Sequence, residues 1–458
     1  MAATEPTPER LSVLKRMQSP AYRAWVLTLF LLISMFGFID RQIISALGQP
    51  IKRDLGLSDA ELGLLGGLVF ALLNAALTIP IARLAETRRR ISIIAVGVFL
   101  WSIATSLCGL AQSFAQLVVA RLCVGVGEAA GTPATSSVLA DYFPRDRRTS
   151  AAAVFVLAVP AGALIGQAGG GFIAQHADWR MAFVAAGLPG VVLCLLLILT
   201  VREPLRGHYD APGLGDAAAP PLRAVLARMI ERPAFLHVMA GSTIASMGGF
   251  GINYFLAPYF FRRFGLDFAQ GGLLAGLISA IPGSISMLGG GLLAERLGRR
   301  DARFYAWIPG LGALLAAPLY ALSFLQGSWP LATALLMLTG LVQYAYLPAS
   351  MGVSQNVMEP RMRASAAAIV GIMTNLVGAG LGPLVVGGLS DLLARRAFAG
   401  DFIVACAGAK AAQTAAAGAC GQASAAGLQW AFVIFAMVYL WAAMHFVLAA
   451  RTLRRDMA

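Results

Sequence analysis

The chain has 458 residues, of which 58% are hydrophobic and 12% are charged, and its net charge is +13. A soluble protein of this length carries about twice that charged fraction, so the composition excludes a soluble enzyme or binding domain. We interpret the chain as an all-α polytopic membrane protein. Its positive charge is expected in loops at the bilayer surface, and we expect no nucleic-acid partner.

Twelve apolar segments are long enough to cross a bilayer, which takes about 20 residues per helix. They cover residues 22–47, 59–83, 91–112, 114–141, 149–175, 178–201, 234–262, 268–296, 302–326, 329–358, 363–394 and 428–449. Residues 1–21 and 450–458 are predicted to be polar tails. Residues 202–233 form a linker with a basic amphipathic helix that we expect to lie on the membrane surface. The linker separates two six-helix halves, 22–201 and 234–449.

The basic residues predict the orientation in the membrane. If the N-terminus is cytoplasmic, 25 Lys and Arg residues fall in cytoplasmic segments and 8 in outside segments. This bias predicts that both termini are cytoplasmic. The preference for Arg over Lys is typical of a GC-rich bacterium, so we expect the bacterial cytoplasmic membrane. Cys406 and Cys420 share an outside loop, where a disulfide and two free thiols are both compatible with the sequence.

Motifs recur in the two halves at a nearly constant separation. Glu86, after the second helix, corresponds to Glu295 at a separation of 209 residues. Gly171, in the fifth helix, corresponds to Gly388 at 217 residues. Two such parallel repeats are typical of secondary transporters with twelve helices.

These motifs resemble the major facilitator superfamily. Glu86 and Glu295 stand at the acidic position of its loop motif, and residues 121–127 are similar to its fourth-helix motif. The segments that together resemble the spinster family of lipid transporters are 38–41, 125–129 and 141–144. The resemblance implies a major facilitator fold of two pseudo-symmetric six-helix bundles that works by alternating access. We therefore expect a monomer with no bound cofactor or metal, energised by a proton gradient.

Four charged residues lie at membrane depth. Asp40 and Arg41 are adjacent in the first helix, where each charge costs about 2.5–3.5 kcal/mol on insertion scales. Arg121, Gly125 and Glu128 share one face of the fourth helix, and Gly125 leaves room for Asp40 and Arg41. We predict that Asp40 and Glu128 couple protons, while Arg41 or Arg121 pairs alternately with these acids and with an anionic substrate. The alternative is a permanent ion-pair cluster that fixes the first helix against the fourth.

The second half offers uncharged polar groups at the equivalent positions. The repeat places Tyr254 opposite Asp40 and Gln343 opposite Glu128. We therefore predict that this half supplies hydrogen bonds and aromatic wall to the substrate. With Arg41 and Arg121, the predicted substrate-binding residues are Asn253, Tyr254, Gln343 and Tyr346.

A second charged group is predicted at the cytoplasmic side, where it would hold the two halves together as a gate. Its residues are Glu86, Arg89, Arg90, Asp141, Glu295 and Arg299. The alternative is ordinary cytoplasmic positive charge without a switching role.

The sequence favours a transporter over an enzyme, because it has no nucleophile motif and no metal-site spacing. The preferred function is proton-coupled transport of an amphipathic lipid, such as a lysophospholipid or sphingosine phosphate, and its lipid part rests on the resemblance. A symporter of a small organic anion or sugar phosphate is the alternative within transport. A lipid-sensing membrane receptor is the alternative from another class.

Overall fold

A computed structural model describes residues 19–206, 221–359, 362–406 and 417–457, which form helices and their connections. Twelve segments match the predicted ones in order. They are α1 (Pro20–Leu55), α2 (Asp59–Thr87), α3 (Arg90–Cys108), α4 (Phe114–Glu128 and Gly131–Tyr142), α5 (Ser150–His176), α6 (Trp179–Thr200), α7 (Pro233–Phe264), α8 (Phe268–Gly298), α9 (Phe304–Phe324), α10 (Trp329–Ser354), α11 (Ser365–Ala397) and α12 (Gly418–Met457).

Eleven of these helices in the described part of the chain are long and apolar enough to cross a membrane. The exception is α4, whose two parts are joined by a turn at Ala129 and Ala130. Glycine is a poor helix former, and Gly127 and Gly131 flank this turn. The break therefore follows directly after Glu128.

The first helix of each half begins and ends in the same way. Both α1 and α7 start with a proline, Pro20 and Pro233, and both end at a glycine with φ of 68°, Gly56 and Gly265. This left-handed conformation suits glycine because it has no Cβ. We predicted the end of the first helix near residue 47, but α1 continues through Pro50 to Leu55, since membrane helices tolerate proline.

The start of α1 and the end of α12 lie at one end of the bundle, which we call the terminal end. Tyr22, near the start of α1, donates a hydrogen bond to the Thr200 carbonyl at the end of α6 (3.0 Å). Residues 450–457, predicted to be a tail, instead continue α12. The helix continues because Asp456 accepts a hydrogen bond from the Ala234 N–H (2.9 Å) and thereby satisfies a free donor at the start of α7.

The two halves meet along α2 with α11 and along α5 with α8. Small residues allow the backbones to touch: a side chain at Gly67 would collide with the Gly380 carbonyl, and one at Gly272 with the Gln167 carbonyl. The segment of α2 at this contact, Leu64–Leu68, is a π-helix, as is the facing segment of α11. Such segments are rare and frequently occur at functional sites.

The described part of the linker comprises residues 202–206 and 221–233 and contains the helix Leu222–Ile230, while residues 207–220 lie outside the described residues. Val225 and Met229 are buried against the second half, whereas Leu226 and Ile230 on the adjoining stripe remain exposed. The helix is therefore amphipathic, and part of its apolar face is free to contact lipid.

Candidate functional site

Asp40 lies in the middle of α1 and is completely buried. Arg121 Nη1 donates to its Oδ2 (2.8 Å), and Thr105 Oγ1 donates to its Oδ1 (2.7 Å). Both carboxylate oxygens are thus satisfied, and the Arg121 side chain is only 1% exposed. This first ion pair, which joins α1 to α4, is enclosed by protein.

Arg41 and Glu128 form a second ion pair between the same two helices. Arg41 Nε donates to Glu128 Oε2 (2.5 Å), and its Nη2 contacts the same oxygen. The side chain of Arg41 is 31% exposed, in contrast to Arg121. The other oxygen of Glu128, Oε1, is buried and accepts no hydrogen bond from the described residues. This pair therefore borders accessible space and has one uncompensated acceptor.

Phe70 of α2 links the two pairs, and the sequence did not single it out. Its ring centroid lies 4.8 Å from Cζ of Arg41 and 5.8 Å from Cζ of Arg121, within the range of cation–π attraction. The expected room beside Gly125 is absent: a Cβ there would lie 2.8 Å from the Phe70 carbonyl oxygen. That prediction was wrong, because the α2 backbone packs against Gly125.

The predicted polar residues of α7 make contacts apart from the charged pairs. Asn253 donates to Ser279 of α8 and accepts a hydrogen bond from Gln167 of α5 (3.1 Å), so it links the halves. The Tyr254 ring packs against Gly66 of α2, and its buried hydroxyl makes no hydrogen bond to the described residues. Neither Asn253 nor Tyr254 forms a hydrogen bond with any of the four charged residues.

The predicted residues of α10 are also buried within the second half. Gln343 accepts hydrogen bonds from the Tyr320 and Tyr439 hydroxyl groups, the latter at 2.9 Å. Tyr346 is 4% exposed. The structure thus brings Asp40, Arg121, Arg41 and Glu128 together. Asn253 and Gln343 line one small cavity in the second half, and Tyr254 and Tyr346 are not part of its wall.

Comparison with known proteins decides the family. The model of the Major Facilitator Superfamily matches residues 29–383. The chain belongs to the Major Facilitator Superfamily. A major facilitator efflux pump of Mycolicibacterium smegmatis is 34% identical over 81% of this chain and 85% of that protein. The sphingosine-1-phosphate transporter SPNS2 of Mus musculus is 24% identical over 79% of this chain and 68% of that protein.

A solved structure supports the same assignment. It is a bacterial homologue of the human lysosomal transporter Spinster in an inward-facing, unoccupied conformation. It is 32% identical, with a TM-score of 0.86 over 96% of this chain and 99% of that one. The predicted major facilitator fold and the resemblance to the spinster family are confirmed. The chain is a membrane transporter related to spinster lipid transporters, and it is not an enzyme.

In this major facilitator protein, a buried charge cluster joins the halves at the end opposite the terminal end. Asp59 accepts hydrogen bonds from Lys52 (2.5 Å), from two nitrogens of Arg262 (2.6 and 2.7 Å) and from Ser390 (2.6 Å). Asp391 accepts from the backbone N–H groups at the start of α2, where a carboxylate also opposes the positive end of the helix dipole. We call these five residues the Asp59 cluster.

The Asp59 cluster was not predicted from the sequence. Lys52 and Arg262 were counted only as outside positive charges, and their shared partner is separated from Arg262 by 203 positions. Asp59 and Arg262 have side chains 2% and 3% exposed, so this is an interior ion pair between the halves. The sequence showed only that Asp59 is one of two acids, with Glu61, at the start of an apolar helix.

The loop that follows α11 at this same end contains a disulfide between Cys406 and Cys420. The sequence left a disulfide and two free thiols open. The bond ties the short helix Phe402–Cys406 to the beginning of α12. It therefore lies at the end of the bundle opposite the terminal end.

At the terminal end, the predicted gate residues make contacts within single halves. Arg90 is buried, and it binds Asp141 of the first half (2.5 Å) and Glu203 at the start of the linker (2.9 Å). Glu295 pairs with Arg299 (2.6 Å) one turn away on α8. Glu86 and Arg89 are exposed. In this conformation the contacts between the halves that we describe lie elsewhere, at the Asp59 cluster and along the α2–α11 and α5–α8 pairs.

Proposed function

We propose that the chain is a proton-coupled transporter of amphipathic lipids with an anionic or zwitterionic head group. The observation that carries this proposal is the contrast between the two ion pairs. Asp40 and Arg121 are enclosed, whereas Arg41 is 31% exposed and its partner Glu128 has a buried, uncompensated oxygen. Ionisable groups at such depth usually belong to a substrate or proton pathway.

In this mechanism Glu128 and Arg41 form the switch. Arg41 keeps Glu128 ionised, because an adjacent positive charge stabilises a buried carboxylate. A proton taken up by Glu128 gives a neutral acid and releases Arg41, whose guanidinium then binds the anionic head of the substrate. Loss of the proton restores the ion pair and expels the head group. Proton and substrate are coupled because the Glu128 carboxylate and the anionic head group compete for the same guanidinium, and a proton on Glu128 removes the carboxylate from that competition.

Asp40 and Arg121 form the second, slower part of the site in this proposal. The pair holds α1 against α4, and the Phe70 ring lies beside both guanidiniums. A head group that draws Arg121 away leaves Asp40 without compensation, so Asp40 is the second group that takes up a proton. Asn253, Tyr254, Gln343 and Tyr346 would form the uncharged wall for the rest of the substrate once the halves move.

The lipid part of the proposal is supported by relatives. SPNS2 of the mouse is a sphingosine-1-phosphate transporter and shares 24% identity over most of the chain. A small organic anion or sugar phosphate is the second candidate, since Arg41 is a reachable cation that would bind a carboxylate or phosphate without an acyl chain. A lipid-sensing receptor would show binding without net transport.

We propose that the protein is a monomer in the bacterial cytoplasmic membrane with the terminal end in the cytoplasm. Two independent features support this orientation. Basic residues are concentrated at the terminal end. The disulfide lies at the opposite end, and disulfides persist in oxidising compartments such as the periplasm. With the Asp59 cluster closed, the structure then corresponds to an inward-facing state.

The test is an uptake assay in proteoliposomes that contain the purified full chain. Uptake of a labelled lysophospholipid is compared with uptake of a labelled hexuronate and a labelled sugar phosphate, with and without a pH gradient. We expect accumulation of the lysophospholipid that depends on the gradient. Transport of the small anion alone would contradict the lipid assignment, and binding without transport would favour a receptor.

A further inference from the structure

A cavity of about 80 Å³ lies inside the first half, next to the ion pair of Arg41 and Glu128. Its wall comes from one face of α1, from α3, from α4 and from Phe155 of α5, so every lining residue belongs to the first half. All of them lie level with Glu128 or on the side of the terminal end. The cavity thus leads from Glu128 toward that end, and its volume has room for several water molecules.

Glu128 lines this cavity, and its oxygen Oε1 accepts no hydrogen bond from the described residues. A Cβ at Gly37, another wall residue, would lie 4.0 Å from Oε1, so that oxygen is close to the α1 wall. Ser34 and Thr135 add hydroxyl groups to a wall that is otherwise mainly apolar and aromatic. A buried acceptor without a protein partner, beside hydroxyl groups, is the setting in which ordered water is bound.

The charged groups around Glu128 come from two helices. Arg41 and Asp40 belong to α1, and Arg121 belongs to α4 itself. The wall residues contributed by α3 and α5 are uncharged. Within the described residues, the side of Glu128 that faces the cavity therefore meets no competing charge other than Arg41, which already occupies Oε2.

We propose that this cavity is the proton route between the terminal end and Glu128, separate from the substrate path between the two halves. The proposal rests on the proton coupling proposed above and specifies how the proton reaches that site. A hydronium ion in the cavity transfers its proton to Oε1. This leaves water and a neutral carboxylic acid, and the O–H bond formed replaces the O–H bond broken. The positive charge gained by the site remains on Arg41, which is then free to bind an anion.

Separation of the two routes follows from the composition of the wall. A route formed by the first half alone does not require contact with the second half. Protonation of Glu128 can therefore occur before or after the substrate occupies the space between the halves. Arg41 lines the cavity together with Glu128. In this proposal the substrate approaches Arg41 from the space between the halves, while the proton reaches Glu128 through the cavity.

Gly131 allows the cavity to be filled without disturbing the ion pair. It lines the cavity, and a Cβ built on it meets no atom within 4 Å. We expect Gly131→Leu to slow pH-driven uptake of a labelled lysophospholipid by at least about tenfold, because proton transfer needs a water or hydroxyl within reach of the acid. Exchange of external for internal lysophospholipid at equal pH should continue at the wild-type rate, since no proton needs to enter or leave in each cycle.

Three further variants make the test decisive. Gly289→Leu is the matched control, because Gly289 is exposed on α8 and also has open space around it; both rates should equal those of the wild type. Ser34→Ala and Thr135→Val remove only the hydroxyl groups and should slow pH-driven uptake while exchange persists. These two variants test the proton route if Gly131→Leu does not fold.

The outcomes separate this inference from the proposed function. Equal pH-driven rates for the wild type and for all three cavity variants would overturn the proton route. So would equal loss of uptake and exchange in a folded variant, since the cavity would then be a substrate pocket. A wild-type protein that exchanges lipid without any response to a pH gradient would instead overturn the proposed proton coupling, and the proton route with it.

Discussion

The Asp59 cluster gives the sharpest prediction about the conformational equilibrium. Asp59→Asn keeps the shape of the side chain but removes its charge, so Lys52 and Arg262 lose the carboxylate that they share and only Asp391 remains as an acid in the cluster. The Asp59 carboxylate accepts hydrogen bonds from both terminal nitrogens of Arg262, at 2.6 and 2.7 Å. Because Asp59 belongs to the first half and Arg262 to the second, the lost interaction stabilised only the conformation in which this end is closed.

The expected magnitude follows from burial. Removing one partner of a buried ion pair costs about 3–5 kcal/mol, mainly because a charge is left without compensation. Both side chains are at most 3% exposed, so solvent does not screen the loss. Even the lower value of about 3 kcal/mol changes the ratio of open to closed molecules by more than about a hundredfold. We therefore expect Asp59→Asn to favour conformations open at this end.

The assay is a distance measurement between two spin labels at this end, one at Leu110 in the first half and one at Gly327 in the second. Both positions are exposed in short connections between helices. The label distance should lengthen in Asp59→Asn. Asp54→Asn is the control, because Asp54 pairs with Arg180 at 2.6 Å within the first half and is 44% exposed. Identical distance distributions for Asp59→Asn and Asp54→Asn would refute the gating role of the cluster.

Three other experiments test separate parts of the account. Phe70→Leu removes cation–π contacts worth about 0.5–2 kcal/mol, so the pH dependence of uptake should shift, whereas Phe70→Tyr should behave as the wild type. Gly67→Val places a side chain of the first half against the Gly380 carbonyl of the second half. Because this clash separates the halves, the distance between the labels at positions 110 and 327 should lengthen. Reduction of the Cys406–Cys420 disulfide should allow labelling by a membrane-impermeant maleimide from the outside of intact cells; labelling only after lysis would reverse the orientation.

The charged site was largely predictable, because its residues are close to each other in the sequence of each helix. Adjacent charges in one apolar helix and two charges seven positions apart in another identify the faces that must meet. The partner assignment needed the structure: Asp40 pairs with Arg121, and Arg41 with Glu128. The repeat likewise predicted two equivalent halves.

The remainder depends on packing between distant helices. Gly125 was expected to face α1 because it shares a face with Arg121, but a helix face is wide enough to contact two neighbours, and α2 occupies this part of it. The role of Asp59 could not be predicted from the sequence, because its partners come from three separate helices, α1, α7 and α11. The gate residues at the terminal end are recognisable as a motif, but sequence does not specify which conformation the halves adopt.

The most direct measurement of the central claim is lysophospholipid uptake by Glu128→Gln and Asp40→Asn in proteoliposomes, with and without a pH gradient. The account predicts that the wild type responds to the gradient and that Glu128→Gln does not, because the amide cannot take up the proton that releases Arg41. Asp40→Asn should weaken the response. Full gradient dependence in both variants would contradict the account and leave the two ion pairs as a permanent brace between α1 and α4.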